Sequence, residues 1–277
     1  MNRGSPPAIT LTTDFGTRDG YLAAMKGVIL SACPNARLID ITHHIPPFDV
    51  MEAAFVLRQA APHYPPHTIH LVVVDPGVGS ERLGVALQHN SHRYVGPDNG
   101  LFALVLESAE PDELVRLDAA RIGVSKPPSR TFHGRDIFGP AAARLACGAA
   151  LSDLGPAIPA LQSLHWAIPI DDTHGIRGWV VHVDHFGNCI TNISRDLFQR
   201  RAAGRQVKCY VGSTILSGLQ GTYADRAAGE PVLLFGSSEV LEVAVNQGNA
   251  ANLLHIRRGM PVNIVFMDAS ESQAAES

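Results

Sequence analysis

One segment constrains this chain more than any other: an apolar run that stops on an acid. Leu71-Val72-Val73-Val74 is followed at once by Asp75-Pro76-Gly77-Val78-Gly79-Ser80-Glu81-Arg82. Short apolar runs bounded by Gly and Pro read as buried strands. In open α/β sheets, ligands gather outside the carboxyl ends of such strands. Asp75 is therefore expected at the lip of a crevice. The glycines after it let backbone or ligand come close, and Arg82 can fold back toward the acid. The alternative is a strand-end Asp that caps its own turn.

The flanking sequence alternates in the same way. Ala8 to Thr12 reads as a strand. Gly20 to Cys33 reads as a helix, with Leu22, Met25, Val28, Ile29 and Ala32 near helical spacing and Pro34 as its stop. Arg37 to Thr42 is a second strand, Asp49 to Ala61 a second helix ahead of Pro62, and Ile69 to Val74 a third strand. Gly84 to Gln88 and Tyr94 to Gly96 add short strands, and Gly100 to Glu107 looks helical. This alternation predicts an α/β domain with a largely parallel central sheet. Leu161 to Arg177, with Pro169, Asp171, Asp172 and Gly175, reads as a connector. Beyond it come short β-type runs between glycine-rich turns, with no helix pattern other than Ala250 to Leu254. That texture predicts an all-β, barrel-like C-terminal domain. The expected division is 1–165 for the α/β domain, 166–177 for the linker, 178–268 for the barrel and 269–277 for a disordered tail.

Composition excludes several classes. The 277 residues suffice for a sizeable core, and a net charge of −4 from interspersed acids and bases gives no footprint for nucleic acid. The four cysteines, Cys33, Cys147, Cys189 and Cys209, form no CxxC pair, which suggests neither a zinc site nor a disulfide framework and fits a cytoplasmic protein. Met1 to Pro7 lacks the features of a signal peptide, and no apolar run is long enough to span a bilayer. His63, His67 and His70 lie close together but without HExxH order, no third glycine follows Gly77 and Gly79 in dinucleotide spacing, and neither a phosphate-binding GxxxxGK[ST] loop nor a GxSxG elbow is present. No metal and no cofactor are expected.

Polar clusters stand at strand and turn boundaries. Thr12 to Tyr21 includes Asp14, placed to accept hydrogen bonds from a ribose diol, or else, together with Asp19, to cap turns and the following helix. Gly96-Pro97-Asp98-Asn99-Gly100 is a turn signature in which Asn99 offers an amide. Thr131-Phe132-His133-Gly134-Arg135-Asp136 sets a histidine in a loop before the apolar stretch from Ile137. Asp75 and His133 can handle a proton while Arg82 holds an anion. Val183-Asp184-His185-Phe186-Gly187-Asn188 ends an apolar run as Asp75 does, offering an acid, an aromatic face and an amide, or simply a tight β-turn.

Taken in order, TTDFGTRDGY, VDPGVGSER, GPDNG, TFHGRD, VDHFGN and NQGNAA resemble the S-adenosyl-L-methionine (SAM) hydroxide adenosyltransferases, relatives of the bacterial fluorinase and chlorinase. The resemblance runs from about Ile9 to Phe266. It implies an N-terminal α/β domain, a C-terminal β-barrel, and a homotrimer whose ligand sits between one subunit's N-terminal domain and its neighbour's C-terminal domain. It also implies a catalytic set at Asp75, Arg82 and His133. The halogenating relatives carry tyrosines at the positions of Asp75 and His133, so their halide pocket is not reproduced. Asp14 matches the acid that binds the ribose diol, Asp184 and Asn188 the residues that hold the methionine amino group and the adenine region, and Phe186 the aromatic packing there. Phe48 stands where the halogenases have a tryptophan near the sugar. Ser237 and Ser238 lie near the methionine-carboxylate contact, where the fluorinase pair is Ser-Arg, so the arginine is missing. Tyr21, Asn99, Asn249 and Ala250 lie within matched motifs and are expected to line the substrate.

The implied reaction is attack of water or hydroxide on the C5′ carbon of SAM, giving adenosine and L-methionine, with SAM as substrate and no cofactor. Two rivals share these motifs: a halide-using adenosyltransferase and a non-catalytic SAM- or adenosine-binding sensor.

Overall fold

In a computed structural model of the chain, the described residues are 8–106, 109–124, 126–162 and 168–267. The chain divides into two compact units between Leu164 and His165.

The first unit runs β1 (Ala8–Thr13), α1 (Tyr21–Ala32), β2 (Arg37–Thr42), α2 (Val50–Ala60), β3 (Ile69–Val73), β4 (Gly84–His89), β5 (His92–Pro97), α3 (Leu101–Val105), β6 (Glu113–Arg116), α4 (Ala119–Ile122) and α5 (Gly139–Ala146). The sheet order is β2-β1-β3-β5-β4-β6. The four strands β2, β1, β3 and β5 are mutually parallel, and β4 is antiparallel to both of its neighbours. The expected mostly parallel sheet is thus present, with an antiparallel edge. The run Leu71–Val74 is apolar throughout because both faces of β3 are covered. Leu71 and Val73 pack with Met25, Ile29 and Phe138 on one face. Val72 and Val74 pack with Leu57, Leu101 and Phe102 on the other. The chain goes from β1 through α1 to β2 on one side, then returns through α2 to β3 on the other. The order therefore reverses between β1 and β3, which is where an open α/β sheet forms its ligand crevice.

The second unit runs β7 (Ile170–Asp172), β8 (Gly175–Val183), β9 (Cys189–Ser194), α6 (Arg195–Ala202), β10 (Gln206–Val211), β11 (Thr214–Ser217), β12 (Pro231–Phe235), β13 (Val240–Val245), α7 (Ala250–Leu253) and β14 (Pro261–Met267). The strands are all antiparallel in the order β11-β10-β14-β8-β9-β13-β12, with β7 on the side of β8. The sheet nearly closes: beyond β11, the Gln220 amide donates to the Leu233 carbonyl of β12 at 2.9 Å. Val180, Ile193, Cys209, Val243 and Ile264 fill the interior with Phe198 of α6.

Three details differ from the sequence reading. Residues 170–177, read as linker, belong to the β7–β8 hairpin, which an exposed strand of turn-forming residues conceals. Helix α6 was not anticipated because Phe198 is its one buried side chain. Asp19 does not cap α1, whose N-cap is Gly20 without a side-chain bond. The expected tail, 269–277, lies outside the described residues.

Histidines threaded through the first sheet give it a pH dependence. Thr10 Oγ1 and His70 Nδ1 are hydrogen-bonded at 2.7 Å, and His70 Nε2 and His92 Nδ1 at 3.2 Å. His70 is fully buried under the stacked ring of Tyr94. Burial, and then the nearby His92, push its pKa from 6.5 down to about 3. The unfolded chain therefore binds a proton on His70 that the native state refuses between those values. Stability is retained above the unfolded value and lost as pH falls below it, by ~1.4 kcal/mol per pH unit. From pH 7 to 5, hydrogen exchange of the β1 and β3 amides is expected to report a loss of roughly 2 kcal/mol that His70→Asn removes. Equal losses in both proteins would contradict this.

Candidate active site

The carboxyl edge of the parallel strands gathers the polar clusters. Thr13 of β1 and Val73 of β3 are register partners, so Asp14 and Asp75 leave the sheet side by side. Their proximity is electrostatic as well: burial raises the pKa of Asp14, and the charge of Asp75 adds to the rise. Phe48 follows β2, and Asp98 and Asn99 follow β5, at the same edge.

Arg82 folds back on Asp75. Its Nε donates to Asp75 Oδ1 at 2.8 Å, and its Nη2 donates to Asp75 Oδ2, so the fork is bidentate. Nη2 also donates to Nδ1 of His133 at 2.7 Å. The side chains of Arg82 and Asp75 are only 9% and 6% exposed. The guanidinium lies over the ring of Phe138, 5.1 Å from its centroid. Two segments distant in sequence meet here because Gly79 permits it. Gly79 has φ +79°, and a Cβ there would stand 2.4 Å from the Arg130 carbonyl oxygen.

This arrangement fixes the state of His133. A guanidinium has donors and no acceptor, so Nδ1 must offer its lone pair. The ring is then neutral, with its proton on Nε2. Burial lowers the His133 pKa, and the charge of Arg82 lowers it further, against the opposing pull of Asp75 and Asp136. The site therefore holds a carboxylate oxygen pair with lone pairs to spare, one fixed cation and one N–H donor.

Other expected residues take structural duties in this unit. Asp14 Oδ2 accepts from the Phe48 amide at 2.9 Å. Phe48 has φ +69° and is 68% exposed. Tyr21, 54% exposed, packs with Phe15 and Phe132. Asn99 turns inward: its Nδ2 donates to the Val74 carbonyl at 2.9 Å, and its Oδ1 accepts from the Leu101 amide. It ties the turn after β5 to the end of β3, which makes it a positioning group. Sequence reasoning passed over Asp98. Its buried carboxylate accepts from the Gln162 amide at 2.9 Å. Burial raises its pKa, and the charge of Arg82 opposes the rise.

The second unit carries the remaining group. Asp184 Oδ1 accepts from the amides of Phe186 and Asn188 at 2.9 and 2.8 Å, and Oδ2 accepts from Asn188 Nδ2 at 2.9 Å. The acid thus builds its own turn and leaves Phe186 73% exposed. Gly187, with φ +87°, allows Asn249 to press against the turn, since a Cβ there would lie 2.1 Å from Asn249 Cγ. Asn249 also caps α7 through the Asn252 amide, and Ala250 is buried behind it. Ser237 and Ser238 lie in the turn between β12 and β13. Beneath that turn is Glu242, which sequence reasoning also missed. Tyr223 donates to its Oε1 at 2.6 Å, and burial, with the charge of Asp184, raises its pKa. Its position in an otherwise apolar strand, Val240-Leu241-Glu242-Val243, was the available signal.

Family models for the SAM hydroxide adenosyltransferase N-terminal and C-terminal domains match residues 9–155 and 178–263. The chain belongs to this family. An (R)-S-adenosyl-L-methionine hydrolase of Salinispora tropica is 40% identical over 258 residues, covering 91% of this chain and 95% of the relative. A fluorinase of Actinoplanes is more distant, at 27% identity over 95% of this chain and 99% of its own. The crystal structure of an uncharacterized conserved protein from Thermotoga maritima superposes with a TM-score of 0.83 at 35% identity, covering 92% of this chain and 99% of that one.

The histidine state is directly measurable. Ring ¹⁵N NMR of this SAM hydroxide adenosyltransferase family member is expected to show His133 protonated on Nε2 alone at pH 7. Its second protonation should fall below the ordinary 6.5. A doubly protonated ring at neutral pH would contradict the Arg82 contact.

Proposed function

We propose that the protein hydrolyses SAM, with water or hydroxide attacking C5′ and methionine leaving, to give adenosine and L-methionine. The observation that carries this reading is the Asp75–Arg82–His133 assembly at the strand-order reversal. The hydrolase named among the relatives, at 40% identity, supports it, and the fluorinases lie further away. The sulfonium is already a good leaving group, so the protein need only supply and align the nucleophile. Asp75 accepts a hydrogen bond, and then the proton, from the attacking water through the lone pairs that Arg82 leaves unused. His133 Nε2–H donates to the oxygen, and Arg82 stabilises developing hydroxide by charge-assisted bonding. Asp14 binds the ribose diol, with Phe48 and Tyr21 against the sugar and Asn99 holding the rim. Asp184, Phe186, Asn188, Asn249 and Ala250 receive the adenine and amino ends, and Ser237 and Ser238 the methionine carboxylate. SAM is the substrate and the reaction calls for no cofactor.

Incubation with SAM is expected to yield adenosine and methionine, with the 5′-oxygen labelled from ¹⁸O-water. Asp75→Ala and His133→Ala should each lower turnover by about 10²–10⁴-fold with the fold intact. A 5′-haloadenosine product would favour the halide rival, and bound but unchanged SAM the sensor.

We further propose a cytoplasmic homotrimer with its sites at subunit interfaces. The ribose acid and the purine-side turn lie in different units of the chain. A cyclic trimer is a heterologous ring that would pair one subunit's first unit with the next subunit's second. Mixed Asp75→Ala and Asn188→Ala subunits should then regain activity after exchange, because some interfaces carry two intact halves. No recovery with exchange demonstrated would reject the shared site.

A further inference from the structure

Helices α1 and α5 pack against each other in the first unit, and each ends in a cysteine. Cys33 is the C-cap of α1 and Cys147 the C-cap of α5. Cys147 Sγ reaches the carbonyl of Ala32, the residue before Cys33, at 3.6 Å. That contact brings Cys147 Sγ to the backbone beside Cys33. Cys33 is buried, whereas Cys147 is exposed. The other two cysteines, Cys189 and Cys209, are buried in the barrel unit. The first unit therefore holds one accessible sulfur resting on the backbone next to one shielded cysteine, a placement suited to an attacking thiol and its resolving partner.

We propose that Cys33 and Cys147 form a reversible intramolecular disulfide when the protein meets a peroxide. The Cys147 thiolate attacks the peroxide oxygen, giving a sulfenic acid and, from hydrogen peroxide, one water. The Cys33 sulfur then attacks the sulfenic sulfur, its proton leaves with the departing hydroxyl, and a second water forms. Two thiols are oxidised by two electrons, and the O–O bond is reduced. Burial first, and then the neighbouring thiol, push the Cys33 pKa up to about 11, so the second step is the slow one. The bond would staple the ends of α1 and α5. Helix α1 follows the Asp14 segment, and α5 follows the turn that carries His133, so the staple ties together the helices behind two parts of the site. Because it closes a long loop, it should restrict the unfolded chain strongly.

The test uses the full-length reduced protein and stoichiometric hydrogen peroxide. The intact mass should fall by two hydrogens. Peptide mapping without reductant should give one linked pair, Cys33 with Cys147. After unfolding, two thiols, Cys189 and Cys209, should alkylate instead of four. Dithiothreitol should restore all of them. The oxidised protein should melt at a higher temperature than the reduced one, and Cys147→Ser, at an exposed position, should abolish both the link and the shift. Sulfinic or sulfonic acid at Cys147 with Cys33 still alkylatable would overturn the proposal. So would a Cys147–Cys147 link between two chains.

Discussion

The first unit's site depends on one guanidinium. Arg82 is a planar cation that grips both oxygens of Asp75 and spends a remaining N–H on His133. A lysine ammonium cannot reproduce this, because it is a point charge without the fork that fixes two partners in one plane. Phe138 supports the group from below, and Phe138 itself sits in the turn that leads from His133 into α5. The residues that carry chemistry and the residues that pack are therefore the same short segment. Moving α5 against β3 would alter the His133 contact along with the core.

The buried acids of the two units, each taken within its own unit, divide by environment. Asp75 has a full partner, whereas Asp14, Asp98 and Glu242 are pushed toward protonation by burial. Asp14 is also raised by its neighbour Asp75. A cationic ligand such as a sulfonium would reverse that pressure, because it favours the charged carboxylates that burial penalises. The exposed rings of Tyr21 and Phe48 give the first unit flat apolar surface, and Phe186 does the same for the second unit by itself.

Much of this was legible in the chain. Continuous apolar runs such as Leu71–Val74 announced strands covered on both faces, and Pro34 and Pro62 marked where helices stop. Asp75 and Arg82 could be paired on paper because a Pro-Gly turn separates them. Helix α6 escaped because Arg195-Asp196-Leu197-Phe198-Gln199-Arg200-Arg201 offers little apolar face. Its signal was electrostatic: Ser194 caps it, Asp196 lies in the first turn, and Arg200 and Arg201 lie in the last, all matched to the helix dipole. The roles of Asp98 and Glu242 could not be read locally, since each depends on partners far along the chain, Gln162 and Tyr223. Asn99 and Asp184 were read as ligand groups, yet both first complete their own turns. That is not a conflict: a rigid polar group with lone pairs left over is a better binding element than a mobile one.

This rigidity bears on what the site must accomplish. General-base help contributes about 10²–10⁴-fold, whereas holding two reactants in line can remove ~7–11 kcal/mol of a barrier. With a sulfonium leaving group, bond breaking needs little assistance, so the larger contribution falls to alignment of the oxygen with the C–S bond. The Arg82 fork suits that task. It freezes Asp75 and His133 relative to each other before any substrate arrives, fixes which ring nitrogen carries the proton, and excludes the doubly protonated imidazole that would set a second cation beside the guanidinium. A looser acid and histidine would still offer a base, but they would have to be ordered anew at each turnover.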